Sequence, residues 1–168
     1  CSWKIRHLVW RCAATAFAPA ADGIAHEQNR AFADVVQGIV LGLKELVKAV
    51  RGDDDVRVGV LGAGAWARLA HLPGYRRDAR CRVMAIADPQ IELARAAAAE
   101  FDIPVAVGDH REIIGRDDID AIDVCTPSHT HFELTWGALE AGKHVLCEKP
   151  VAYDYRDTLR ARNLARAR

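Results

Sequence analysis

The sequence predicts an α/β fold: a doubly wound parallel sheet over residues 55–168, preceded by a helical extension over residues 1–54. Three observations predict it. After Gly52-Asp53-Asp54-Asp55, short apolar runs alternate five times with helical patterns, which implies crossover connections and parallel strands. Those runs are apolar along most of their length, as a sheet covered on both faces requires. The first of them leads straight into a Gly-x-Gly turn and a helix.

In order along the chain, residues 1–28 carry Trp3, Trp10 and alanine-rich material without clean periodicity, and they offer no chemistry. Phe32, Val36, Ile39, Leu43, Leu46 and Val50 then recur at steps of four and three, which lays them on one face of an amphipathic helix. That stripe is expected to cover apolar surface of the same protein; the alternative is pairing with a second chain, as in a homo-oligomer. Beyond the acidic break, strands are expected at 56–61, 82–87, 105–107, 121–125 and 144–147. Helices are expected around 66–77, 90–101, 111–114, 131–141 and 154–167. Gly142 stands where the fourth of these needs a C-terminal cap.

The 168 residues include 23 Lys+Arg against 23 Asp+Glu, with 51% hydrophobic residues. A chain of this size buries roughly 70% of the surface its unfolded form exposes, so its core needs neither disulfides nor metal. Zero net charge removes the electrostatic case for nucleic acid or an anionic membrane as partner. No apolar stretch approaches the length of a membrane span. Lys4, Arg6 and His7 before Leu8 imitate a secretory leader, but Arg11 interrupts its apolar segment and no leader is expected. Cys1, Cys12, Cys81, Cys125 and Cys147 are odd in number and contain no Cys-x-x-Cys pair. They read as reduced thiols in a cytoplasmic protein. The chain starts at Cys1 and its one methionine is Met84, so it is expected to be a fragment or a trimmed form.

The turn Gly62-Ala63-Gly64-Ala65-Trp66-Ala67 has the form of a dinucleotide-binding turn between strand and helix. Gly62 allows the sharp turn, Gly64 lets the backbone approach a pyrophosphate, and Ala67 is small enough for the helix to pack on the strand. The amides at the helix start, those of Ala65 and Trp66 among them, would face the phosphates. Asp88 ends the second strand, 26 positions after Gly62, where such folds carry the carboxylate that holds the ribose hydroxyls. A carboxylate there repels a 2′-phosphate, and Pro89 and Gln90 bring no arginine to neutralise one. NAD is therefore expected in preference to NADP.

The fourth and fifth strands emerge at the same edge into Cys125-Thr126-Pro127-Ser128-His129-Thr130-His131 and Cys147-Glu148-Lys149-Pro150. At these residues the chain resembles the glucose-fructose oxidoreductase, inositol dehydrogenase and rhizopine-catabolism family (Gfo/Idh/MocA). The resemblance runs from about 55 to 168. It is carried by the glycine turn with His71-Leu72-Pro73, by Ala87-Asp88-Pro89, by 120–124, by Thr126-Pro127 with His131, and by Gly142-Lys143-His144 leading to Glu148-Lys149-Pro150.

The resemblance implies a Rossmann domain of a nicotinamide-dependent oxidoreductase acting on a sugar, cyclitol or related polyol. Gly62 and Gly64 would lie at the pyrophosphate and Asp88 at the ribose, while Thr126, Pro127 and His131 line the cofactor trough. Glu148 and Lys149 would stand near the nicotinamide, with Lys149 as the catalytic residue and the bond before Pro150 cis. The family's substrate domain, with its acid/base histidine, would lie beyond this chain. His71, His129 and His131 are not expected to take that role.

Other readings are weaker. Tyr75, Tyr153 and Tyr155 lack a lysine four residues on, which excludes the short-chain dehydrogenase pattern. Cys125, His129 and His131 lack a fourth ligand, so no metal site is expected. The alternative in a different class is a dinucleotide-binding or subunit-pairing module without catalysis.

Overall fold

A computed structural model describes residues 8–9, by their backbone, and residues 55–167. The expected amphipathic helix at 32–50 lies outside the described residues. Six parallel strands run in the order β1-β6-β5-β2-β3-β4: β1 (Leu8–Val9), β2 (Val56–Leu61), β3 (Cys81–Ala87), β4 (Val105–Val107), β5 (Ala121–Val124) and β6 (His144–Cys147). The chain winds outward from β2 to β4, returns across the sheet to β5 and then continues to β6. The order therefore reverses between β2 and β5. The two residues of β1 extend the edge beside β6, which the aperiodic 1–28 segment did not foretell.

Two helical layers cover the sheet because the strands alternate apolar side chains between both faces. On one face Val56, Val58, Val60 and Ile86 pack with Leu72 and Tyr75 of α1 (Ala67–Arg76) and with Ala94 and Ala97 of α2 (Ile91–Phe101). On the other, Leu61, Ile122, Val124 and Val145 meet Ile113 of α3 (His110–Ile114), Leu134, Ala138 and Leu139 of α4 (His131–Glu140), and Ala161 and Ala165 of α5 (Tyr155–Ala167).

Caps set the ends of these helices. Asp109 accepts from the Arg111 N–H at 2.9 Å and starts α3, while Asp154 accepts from the Arg156 N–H at 2.8 Å and so stands just before α5. After α4 the chain turns through Gly142 at φ 81°, with the Lys143 N–H donating to the Ala138 carbonyl at 2.9 Å. This left-handed cap satisfies carbonyls at the helix end.

Two departures from the expected elements bear on the site. α1 is not one regular helix: Ala67–His71 form a π-helical turn, closed by the Leu72 N–H donating to the Ala67 carbonyl, before Leu72–Arg76 resume α geometry. Pro73 explains it, since proline brings no N–H and its ring collides with the carbonyl four residues back. The wider turn buries Ala70 and His71 together. Second, β3 carries one extra residue opposite β2: Val58 pairs with Val83, but Gly59 pairs with Ala85. This bulge at Met84 sets Leu61 opposite Ala87, and so brings Asp88 level with Gly62.

Candidate dinucleotide-binding site

Backbone bonds carry the sheet one residue past its strands at the carboxyl edge. The Gly62 N–H donates to the Ala87 carbonyl at 2.8 Å, Cys125 to Leu61 at 2.8 Å, Glu148 to Val124 at 3.0 Å and Asp88 to Val107 at 3.2 Å. The glycine turn, Asp88, the Thr126-Pro127 loop and Glu148-Lys149 thus leave the sheet side by side. Their centre is the β2/β5 reversal, where open α/β sheets bind ligands.

Gly62 is required twice over. Its φ is 97°, and a Cβ there would lie 2.5 Å from the Cys125 carbonyl oxygen. Gly64 is the opposite case: among the described residues a Cβ would meet nothing within 4 Å, so none of them closes the space in front of the turn. Gly64, Ala65 and Trp66 are all exposed at the mouth of the turn. The Asp88 carboxylate ties this wall together, accepting from the Ala63 N–H at 2.9 Å with one oxygen and from the Gln90 N–H at 2.9 Å with the other. These residues fit a dinucleotide: peptide N–H groups at a helix start, no side chain in the way, and a half-buried carboxylate one strand over.

The second wall is built differently. His131 is buried, with Nδ1 2.8 Å from the Pro150 carbonyl oxygen and Nε2 2.7 Å from that of Thr126. It clamps the loops after β5 and β6 to each other rather than presenting its ring to the trough. Thr130 Oγ1 donates to Thr126 Oγ1 at 2.7 Å and holds the same loop, whereas His129 and Pro127 are exposed. The Lys149–Pro150 bond is cis.

Below Glu148 lies a polar cluster inside the core. His71 is 1% exposed, with Nδ1 2.8 Å from Asp123 Oδ2 and Nε2 3.1 Å from Glu148 Oε1. Tyr75 donates to Asp123 Oδ2 at 2.9 Å, and Asp123 Oδ1 has no partner among the described residues. Trp66 Nε1 donates to Glu148 Oε1 at 3.2 Å and the Lys149 N–H donates to Glu148 Oε2 at 3.2 Å. Glu148 is thus engaged by α1 and by the next peptide, not by the Lys149 ammonium. Among the described residues no carboxylate lies within ion-pair distance of that ammonium, and Lys149 is exposed.

Burial alone would depress the His71 pKa, but the charge of Asp123 and the hydrogen bonds to Asp123, Cys125 and Glu148 outweigh it and hold it well above 6.5. Burial likewise pushes Glu148 up, and the His71 and Trp66 donors bring it down to about 2. Burial raises the Cys125 thiol, and raises Cys147 to about 12. Cys81, Cys125 and Cys147 are free thiols.

Sequence reading brought out Glu148 and Lys149 but not the cluster beneath them. Two signals were present: Asp123 interrupts an apolar strand, where an unpaired carboxylate is costly, and His71 and Tyr75 are four residues apart on one helix.

Residues 56–168 match the Gfo/Idh/MocA oxidoreductase family, NAD-binding Rossmann fold. The chain belongs to this family. It is similar to inositol 2-dehydrogenase 4 of Saccharopolyspora erythraea, 36% identical over 106 residues that make up 63% of this chain and 31% of that protein. Among solved structures it is similar to a 3-ketoreductase from Actinomadura kijaniata in complex with NADP (TM-score 0.66, 35% identity, 68% of this chain and 36% of the other). It is also similar to a levoglucosan dehydrogenase in complex with NADH and L-sorbose (TM-score 0.58, 32% identity, 67% and 32%). This part of the family is its NAD(P)-binding Rossmann domain, and the chain spans about a third of the length of the curated relatives it matches. No helix among the described residues is long and apolar enough to cross a membrane.

Proposed function

We propose that this chain is the cofactor-binding part of a cytoplasmic oxidoreductase that moves hydride between NAD and a sugar, cyclitol or related polyol. The observation that carries the reading is the exposed Lys149 ammonium, with no carboxylate at ion-pair distance among the described residues, on the loop beside the glycine turn at the sheet reversal. The amides following Gly62, those of Gly64, Ala65 and Trp66, bind the pyrophosphate through the open space in front of Gly64. Asp88 receives the ribose hydroxyls. Thr126 and Pro127 form the floor, positioned by the His131 clamp. When bound, the nicotinamide supplies or accepts the hydride. Lys149 then stabilises the charge that develops on the reacting oxygen, an effect realised mainly in the transition state. The proton acceptor and the polyol-binding residues belong to the rest of the full-length protein.

NAD is preferred to NADP on this reading. Both Asp88 oxygens are held by uncharged peptide N–H groups, which leaves a full negative charge facing any 2′-phosphate. Relatives are found with either cofactor, NADP in the ketoreductase and NADH in the levoglucosan dehydrogenase, so the test lies with this chain. Calorimetric titration should give tighter binding of NAD; equal or tighter binding of NADP overturns the preference. Turnover of the full-length protein with a polyol panel tests the reaction, and NAD binding without turnover on any polyol would point to the non-catalytic module instead.

A further inference from the structure

Resting on the reading that Lys149 serves hydride transfer, we propose that His71 is a positioning residue. It is an imidazolium clamped between Asp123 and Glu148 that fixes the Glu148 carboxylate, and through it the Lys149 peptide, against the start of α1.

With both facing carboxylates ionised, the geometry calls for both ring protons. A neutral imidazole presents one N–H and one lone pair, yet each nitrogen of His71 faces a carboxylate oxygen, at 2.8 Å and 3.1 Å. Turning the ring over only exchanges which carboxylate meets the lone pair. At 1% exposure the ring is shut off from bulk water that could take a carboxylate's place. Among the described residues the groups facing it are Tyr75 from α1, Asp123 from β5, Cys125 from the loop after β5 and Glu148 from the loop after β6. None of these is a cation, so the imidazolium is the only positive charge among them. Among the described residues Asp123, with Oδ1 unpartnered and Oδ2 shared by His71 and Tyr75, has no other counter-charge.

The cluster reaches outward through Glu148. Its Oε1 takes His71 and Trp66, and its Oε2 takes the N–H of Lys149. Glu148 therefore cross-links α1 to the peptide from which the Lys149 side chain departs. A buried ion pair is a poor way to gain stability, because desolvation consumes most of the attraction and an apolar replacement often does as well. A charged clamp ending at the exposed lysine is better explained by what it orients than by what it stabilises.

Nitrogen-15 NMR of the His71 ring in the 168-residue chain tests this without any substitution. Both ring nitrogens should show the protonated shift at pH 7, above the ordinary imidazole value, and the Lys149 amide should move along the same titration curve as the ring. Amides of Val105–Val107 in β4 should not follow it. One unprotonated ring nitrogen at pH 7, or a Lys149 amide indifferent to the ring, overturns the proposal. Glu148→Gln should lower the ring's titration midpoint, and an unchanged midpoint overturns it as well. In the full-length protein, His71→Gln should lower kcat by up to roughly 10²-fold, as a misplaced group can, with the cofactor KM unchanged. The reverse split, with KM raised at constant kcat, counts against the role. Failure to bind NAD or NADP would overturn the proposed function and this role with it. A neutral ring in a chain that binds NAD overturns this role alone.

Discussion

The two walls of the candidate site solve the same problem, fixing groups at the ends of parallel strands, by different physics. On the β2/β3 side the Asp88 carboxylate is bound by two peptide N–H groups, at Ala63 and Gln90, and remains partly open to water. On the β5/β6 side a carboxylate and an imidazole are sealed inside the core, and a second carboxylate comes only partway to the surface. The first arrangement needs a strand, a turn and one neighbouring strand in register. The second needs α1, β5 and β6 at once, and a charge removed from it leaves another charge uncompensated. The cofactor-recognition wall is therefore expected to tolerate substitution far better than the wall that carries Lys149.

The sharpest way to break this comparison is Asp123→Asn. Leaving the His71 cation without its buried partner should cost about 3–5 kcal/mol in urea unfolding. A loss below about 1 kcal/mol would mean the cluster carries no net charge of consequence. Next in size, Lys149→Ala in the full-length protein should lower the turnover number by roughly 10²-fold, the effect of losing one group that stabilises developing charge. NAD affinity of the 168-residue chain should hardly change, because Asp88 and the glycine turn remain. A near wild-type rate of hydride transfer in stopped flow would remove Lys149 from the chemistry.

Gly62→Ala tests the rigid point of the other wall. A side chain at φ 97°, 2.5 Å from a backbone oxygen, should cost about 1–3 kcal/mol and weaken NAD binding. Normal binding with normal stability would show that the turn has freedom the geometry denies it. Asp88→Ala should be milder still, about 1 kcal/mol, since the loss resembles that of a helix cap. It should also narrow the gap between NAD and NADP in calorimetry.

The smallest effect sharpens the comparison through pH. His71 has a raised pKa when folded, so its contribution is complete below 6.5 and is lost as pH rises through the folded value. Glu148, lowered from 4.5 to about 2, contributes fully above 4.5 and loses that contribution as pH falls toward 2. Melting temperature should therefore decline on both sides of a maximum, and His71→Gln should flatten the alkaline decline. If the variant and the parent show parallel alkaline arms, His71 is not the group responsible.

What the sequence alone determined follows from interactions that are short along the chain. The five strands of the 56–147 region were legible because a sheet covered on both faces needs apolar runs, and observed bounds differ from expectation by a single residue at Cys81 and at Val124. Gly62 and Gly64 were legible because turn, close approach and helix start are consecutive. Asp88 could be placed near the turn by counting, yet the bulge at Met84 decides that it stands level with Gly62. A bulge depends on the neighbouring strand's packing, which no local pattern encodes.

The rest is tertiary. His71 meets Asp123 across 52 positions and Glu148 across 77, distances over which only the register of β5 and β6 and the π turn in α1 can set hydrogen-bond geometry. The same holds for His131, which sequence reading placed in the trough through a resemblance and which the fold turns inward onto the Thr126 and Pro150 carbonyls. Residue types announce that a carboxylate or an imidazole is present. Which of its atoms faces a charge, a carbonyl or open space is decided by the packing of elements distant in sequence, because hydrogen bonding in a dry core depends on fractions of an ångström.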